Sequence, residues 1–224
     1  IRTFGDHSDA IIAQSISQGG GNSAVNVAQG FLTGANGIGI GIGGSPGDAG
    51  DAGDVSVVHD GIIVTAGENS SGIVAQSIAG GGGNVGMNRV AAGGTTNGVN
   101  LAIGRAGGLG GTGGDVLVRV DGTISTTGTA SNGIIAQSFG GSGGKSGTVS
   151  IKASTTTKSA SDEKEGNAIG ISFGLGGADG GAAGTVTVEN AAEITTEGAY
   201  ARGIMAQSIG GSGGAGGSAS ASTD

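Results

Sequence analysis

The tripeptide Ala-Gln-Ser stands at 13–15, 75–77, 136–138 and 206–208, so that successive copies are offset by 62, 61 and 70 in the numbering. The match is longer than three letters. AIIAQSISQGGG, GIVAQSIAGGGG, GIIAQSFGGSGG and GIMAQSIGGSGG align without gaps. Upstream, the segments 55–71, 116–132 and 186–202 each begin at the same distance ahead of their glutamine, Gln76, Gln137 and Gln207. A further block, GIGIGIGG at 37–44, recurs as GVNLAIGR at 98–105 and AIGISFGLGG at 168–177. A nearly fixed period of this length implies a solenoid, in which neighbouring repeats stack and bury one another.

The local pattern within each block is strand-like. Ile38, Ile40 and Ile42 alternate with Gly39, Gly41 and Gly43, the period of two that places alternate side chains on opposite faces. Val99, Leu101 and Ile103, and then Ile169, Ile171 and Phe173, repeat the alternation. This reading assigns the branched face to a core and leaves the glycine face outward. Val116, Val118 and Val120 mark a second strand, and Ile63, Ile124 and Ile194 a third. Asp60-Gly61, Asp121-Gly122 and the long glycine runs read as the turns between them.

The expected fold is therefore all-β: a right-handed parallel β-helix with about three coils per ~62-residue repeat, two longer coils being the other division. Ten or eleven coils about 4.8 Å apart would make a rod about 50 Å long. A single solenoid segment covers 1–224, with repeats at about 1–62, 63–123, 124–193 and a partial 194–224. The longer third interval places an inserted loop at 154–165 (STTTKSASDEKE). The chain opens and closes in mid-repeat, which suggests a segment of a longer polypeptide or a unit that adds end to end.

Composition narrows the alternatives. Glycine supplies 56 of 224 residues, one in four against roughly 7% in ordinary proteins. With a single proline, collagen is excluded. The absence of cysteine excludes disulfide scaffolds and thiolate metal sites. No apolar stretch reaches the ~20 residues of a membrane-spanning helix. A net charge of −8 argues against nucleic acid. Hydrophobic residues at 35% and charged residues at 12% distinguish the chain from disordered sequence. Glycine-rich disorder, or polyproline-II packing around GGLGGTGG at 107–114, stays as a third structural reading.

Repeats of the form S-x-GI-x-AQSIGG-GGG, here at 69–83, 131–144 and 200–214, follow a Gly-x-Ile-x-Thr-x-Gly pattern such as Gly122-Thr123-Ile124-Ser125-Thr126-Thr127-Gly128. They resemble the glycine-rich passenger regions of bacterial autotransporters. The resemblance implies a β-helix displayed on the bacterial surface or released from it, exported through an outer-membrane barrel of the parent chain. It assigns no activity, since such passengers include adhesins, enzymes and plain stalks.

Glycine-rich sequence satisfies several motifs by chance. Residues 81–86 fit GxGxxG, and 43–47, 140–144 and 210–214 fit GxSxG. No helical pattern follows any of them, and neither His7 nor His59 has a partner pattern, so neither a dinucleotide site nor a nucleophile elbow is expected. Residues 110–118 match the nonapeptide GGxGxDxUx, which holds calcium only when it repeats in consecutive turns. Asp115 in that stretch, with Asp48, Asp51 and Asp54 spaced by three, are the candidates for a loosely held calcium ion; no other cofactor is implied. The basic residues are scattered and aromatics amount to 2%, which argues against a polysaccharide lyase. Thr-x-Thr ladders are too irregular for ice binding.

Two places are candidate interfaces. The glycine face of Gly39, Gly41 and Gly43 would let a neighbouring backbone approach closely. The Ala-Gln-Ser strands carry one row through Gln76, Gln137 and Gln207 and another through the alanines and serines, and either row could face the core. The expected function is a non-catalytic stalk or scaffold, secreted or on the cell surface, that associates with itself or with adjacent segments of the same chain. The alternative is an adhesin that touches host or bacterial surfaces through its loops.

Overall fold

The computed structural model describes residues 1–32, 37–94, 97–155 and 167–223. Sixteen strands follow one another, with no helix among the described residues. They are β1 (Arg2–Thr3), β2 (Ile11–Ile16), β3 (Asn26–Leu32), β4 (Gly37–Ile42), β5 (Val55–Thr65), β6 (Ile73–Ile78), β7 (Asn88–Gly94) and β8 (Asn97–Ile103). The series recurs as β9 (Val116–Thr126), β10 (Ile134–Phe139), β11 (Val149–Thr155), β12 (Asn167–Phe173), β13 (Val186–Asn190), β14 (Glu193–Thr196), β15 (Ile204–Ile209) and β16 (Ala219–Thr223). They form four parallel sheets. Sheet I runs β1-β5-β9-β13, with β14 also on β9; sheet II runs β2-β6-β10-β15; sheet III β3-β7-β11-β16; sheet IV β4-β8-β12.

The hydrogen-bonded neighbour of every strand lies one whole repeat away. Ile11 pairs with Ile73, Ile73 with Ile134, and Ile134 with Ile204. One repeat is therefore one winding, which corrects the expectation of about three coils per repeat. The long, narrow rod that short coils would build is not formed. Four stacked strands in sheet II rise only about 14 Å, while each winding extends for about 70 Å, judged from strand and polyproline-II rises. The offset between paired positions changes from 61 at Val149–Asn88 to 70 at Ile169–Val99. The extra residues of the third repeat thus enter between β11 and β12. Of the inserted loop 154–165, Ser154 and Thr155 close β11 and the remainder lies outside the described residues.

Each winding is closed at both ends by a small core and pinched flat in the middle. At one end sheets I and II enclose Val57, Ile63, Ile73, Val118, Ile124 and Ile134. At the other, sheets III and IV enclose Val90, Ala102, Val149 and Ile151. The first core tapers along the Ala-Gln-Ser strand: Ile73, Ala75 and Ser77 point inward and are fully buried, a large side chain giving way to two small ones. Beyond the serine the layers close up further, and the inward positions become glycine or a residue as small as Ser17, whose hydroxyl accepts from Gly80 N at 2.8 Å.

The glycine runs fill that pinched region, and they are not turns. The N–H groups of Ser17, Gly20, Ser23 and Asn26 donate to the carbonyls of Ile78, Gly81, Asn84 and Met87 at 2.8–3.0 Å. Every third residue repeats the contact, the threefold signature of polyproline II. The return run does the same: Ala49, Ala52 and Val55 donate to Leu109, Thr112 and Asp115. Between the two runs, Gly47 donates to Gly21 and Gly50 to Gln18, and then Gly83 to Gly47 and Gly108 to Gly83. The result is a two-layer bundle of extended glycine helices whose backbones bond both along the stack and across it. The polyproline-II packing read at 107–114 is realised, but as the middle of every winding. A Cβ on Gly111 or Gly141 would lie within 3.0 Å of backbone atoms of the winding before it. That contact is why the runs are glycine.

The Asp-Gly pairs sit inside strands. Gly61 and Gly122 bend β5 and β9 at φ of 124° and 107°, a region open to glycine. The true turn follows at His7, Asn69, Ala130 and Tyr200, all with φ between 50° and 60°. There the Thr65 and Thr126 hydroxyls donate to the carbonyls of Ser70 and Ser131 at 2.6 and 2.7 Å.

Sheet IV inverts the expected orientation of its strands. Ile38, Ile40 and Ile42 are 68%, 60% and 53% exposed, whereas Gly41 and Gly43 are buried. The reason is space. A Cβ on Gly41 would strike the Val90 side chain and approach Asn88 of sheet III. The two sheets stand too close for isoleucine, so the small row turns in. Asn26 and Asn88 fix this separation, their amides donating across the gap to the carbonyls of Ile42 and Ile103 at 2.7 and 3.0 Å.

Candidate functional site: polar ladders along the stack

Parallel, in-register stacking places equivalent residues directly above one another. The chemistry of the surface is therefore a set of ladders. The most regular one is made by the glutamines of the Ala-Gln-Ser repeats. Gln14 Nε2 donates to Gln76 Oε1 at 2.6 Å, Gln76 to Gln137 at 2.7 Å and Gln137 to Gln207 at 2.6 Å. The glutamine row faces outward, opposite the buried Ile73-Ala75-Ser77 row. Neighbouring rungs still cover it, and Gln137 is only 8% exposed. Gln76, Gln137 and Gln207 thus join windings within one chain.

The serines of the same motif hold the two layers together. Ser15 Oγ accepts from Gly53 N at 2.8 Å, and Ser77 Oγ donates to the Gly53 carbonyl at 3.0 Å while accepting from Gly114 N at 2.8 Å. Ser138 repeats the arrangement with Gly114 and Gly184, and Ser208 donates to Gly184. A continuous zigzag of hydroxyls and glycine peptides therefore runs up the stack where the core gives way to the bundle. Within Ala-Gln-Ser, then, alanine narrows the core, glutamine ties windings and serine ties layers.

The aspartates proposed for calcium are engaged differently. Polyproline II presents three faces, and in the return runs two of them are bonded within the bundle. The third points outward, where an aspartate of one winding serves the next. Asp48, Asp51 and Asp54 Oδ1 accept from the N–H groups of Leu109, Thr112 and Asp115 at 2.8, 2.7 and 2.8 Å, and Asp115 accepts from Thr185 at 2.7 Å. The spacing of three in Gly-Asp-Ala-Gly-Asp-Ala-Gly-Asp follows the helix period and spreads the carboxylates along one face, about 9 Å apart at ~3.1 Å per residue. Among the described residues no group of three acidic or histidine side chains is placed to hold a metal ion. The hydrogen bond from the Thr112 backbone, and then one from its side chain, hold the Asp51 carboxyl below its ordinary range.

Sheet I carries a salt bridge between residues in register. Arg119 and Glu189 are partners between β9 and β13, and the guanidinium bonds both carboxylate oxygens, through Nε to Oε2 and at 3.1 Å through Nη2 to Oε1. With Val58, Asp60 and Asp121 they border an open groove of about 520 Å³. The hydrogen bond and the positive charge of Arg119 hold Glu189 below the usual glutamate range, and Glu189 raises Arg119 in turn. The folded value being depressed, the stabilisation from this pair is present above the ordinary glutamate range near 4.3. It is lost as pH falls through the lower folded value. A carboxyl-detected NMR titration should show the Glu189 midpoint below that ordinary value and return it there in Arg119→Gln. Both side chains are about half exposed, so the melting temperature should hardly change. Aligning the repeats sets Arg119 against Val58 and Glu189 and hides the pair, because alignment marks equivalent positions as substitutes rather than as contacts.

The motif matches fare as their contexts require. Residues 81–86, 140–144 and 210–214 all lie in or lead into extended glycine runs, with no helix behind them. Gly41 and Gly43 are buried, Gly41 against Val90 and Asn88 of sheet III and Gly43 against Gly104 and Arg105 of the next winding, and Gly39 alternates in phase with them, so the outward glycine interface is overturned.

No family model, curated protein or solved structure matches this chain.

Proposed function

We propose that the chain is a non-catalytic structural stretch of β-solenoid from a secreted or surface-displayed bacterial protein, a stalk or scaffold that associates with copies of itself. One observation carries the reading. The polar residues that recur in every repeat, glutamine and serine, are hydrogen-bonded to the neighbouring winding or layer, and so are the aspartates of the return runs. A surface selected to act on a substrate would direct its recurrent polar groups away from the scaffold. The resemblance to glycine-rich autotransporter passengers supports a location outside the cell and an outer-membrane barrel in the parent chain. A right-handed winding accords with the strong preference of parallel crossovers for that hand.

Negative-stain microscopy with analytical ultracentrifugation of the purified chain tests this. Particles packed side by side at high concentration, unchanged after deletion of 154–165, are the expected result. A chain that stays monomeric, binds cell surfaces and loses that binding with the deletion would instead be an adhesin acting through the loop between sheets III and IV.

A further inference from the structure

We propose that copies of this chain add end to end, the open edge of β2 and β3 in one copy pairing with the open edge of β15 and β16 in the next. The inference rests on the scaffold reading above and adds a lengthwise contact to it. Each of these four strands has a neighbour on one side only. Ile11 and Ser17 donate their N–H groups to the carbonyls of Gly72 and Ile78 in the adjoining winding. Successive residues of a parallel strand turn their backbone groups to opposite sides, so Ile12, Gln14 and Ile16 present theirs at the open edge. On β15 the phase is reversed. The Ile209 carbonyl accepts from Gly140, and Ile204, Ala206 and Ser208 present their groups outward. None of the four strands carries a lysine or a proline, which ordinarily block an edge.

What fits such an edge is displayed at every seam inside the stack. The register that carries β2 onto β6, β6 onto β10 and β10 onto β15, continued by one step, sets β2 of a second copy against β15 with Gln14 over Gln207. The glutamine ladder has a direction. Gln14 spends its Nε2 and Gln207 its Oε1, so a head-to-tail contact lengthens the ladder by one bond from Gln207 Nε2 to Gln14 Oε1.

The charges agree with that contact. Asp9, Ser71, Asn132 and Arg202 form a further ladder, in which each side chain but the last accepts from the backbone N–H of the next member. It opens with an acid and closes with a base, and these meet only where two copies do. Arg2 pairs with Val64, Val64 with Ser125 and Ser125 with Thr195. Arg2 of the added copy therefore lies beside Thr195, diagonal to Glu193 and Glu197 on the same face. Attraction between unlike groups at the seam opposes the repulsion of a net charge of −8. The area suffices as well. Sheet IV has three strands against four in sheets II and III, so the contact follows 193–223 and leaves a step one strand high beside β12. At about 3.2 Å per residue and about 10 Å across, that edge offers roughly 1,000 Å² per copy, against the ~800 Å² per partner of a stable interface. Two different edges meet, so the contact does not close on itself and copies grow into a filament.

Charge reversal reads the seam directly. Negative-stain microscopy and sedimentation velocity of the parent chain should show filaments that lengthen with concentration. Asp9→Arg or Arg202→Asp puts like charges at every seam and should weaken end-to-end association by about tenfold or more. Mixing the two variants restores opposite charges at each contact and should return association to within about threefold of the parent. Gln14→Pro removes a backbone donor from the open edge, with one rung of the glutamine ladder, and should stop growth. Circular dichroism of each variant should retain the parent β spectrum. Association indifferent to both reversals and to the proline, or no rescue on mixing, would overturn the end contact and leave the scaffold reading standing. A parent chain that stays monomeric at millimolar concentration would remove both.

Discussion

Gly141→Ala should lower the melting temperature by about 10 °C, whereas Gly176→Ala should leave it unchanged or raise it slightly. A methyl group is added in both cases, so its hydrophobicity cannot account for the contrast. At Gly141 the new Cβ would fall within 3.0 Å of the Gly80 carbonyl and near 3.1 Å from the Gly111 nitrogen, both backbone atoms in adjoining runs. Backbone cannot rotate out of the way as a side chain does. Relief requires the windings to separate, which lengthens the bonds from Gly141 N to Gly111 and from Gly181 N to Gly141, each 2.8 Å. Overpacking of this kind costs about 3 kcal/mol, and a chain of this size loses roughly 2–4 °C per kcal/mol. At Gly176 nothing lies within 4 Å of the added carbon. The only effect there is a less flexible unfolded chain, worth about 0.4–1 kcal/mol in the folded state's favour. Thermal melts followed by far-ultraviolet circular dichroism measure both. Equal shifts for the two variants would mean that the glycine runs are not packed against one another.

The second large effect separates two isoleucines that look alike in sequence. Ile124→Ala should destabilise by about 2–5 kcal/mol through loss of buried surface and the cavity left behind, while Ile40→Ala should cost less than about 0.5 kcal/mol. Ile124 is 1% exposed and packs in the core between sheets I and II. Ile40 is 60% exposed on the outside of sheet IV. Denaturant titration at a dilution where the chain is monomeric gives both values free of any contribution from pairing. A loss at Ile40 matching that at Ile124 would place the isoleucine face of β4 inside the winding.

These contrasts show where periodicity alone was sufficient. Repetition at a long and nearly constant interval established a parallel stacked solenoid, because identical segments bury themselves best against one another. Period-two alternation found β4, β8, β12 and the strand through Val116, Val118 and Val120. What periodicity could not supply was the face. Alternation of isoleucine with glycine says that two faces differ, and the usual inference puts the larger side chain inside. Here the gap between sheets III and IV is set elsewhere, by the Asn88 amide on the Ile103 carbonyl and by the thin glycine bundle that leads into it. The same limit applies to Gln76, Gln137 and Gln207: the sequence left the row's direction open, and the buried Ile73-Ala75-Ser77 row settled it.

Coil number failed for a related reason. Dividing a repeat by the length of a common coil treats glycine runs as turns, and two bond directions per run were invisible in one dimension. The sequence by itself determined an all-β chain of parallel stacked windings, because short alternating strands recurring at a fixed interval bury themselves only against their neighbours. Only the tertiary structure decided that a repeat makes one broad winding with the isoleucines of sheet IV outside. That outcome depends on how close two layers of backbone can come once their side chains are gone.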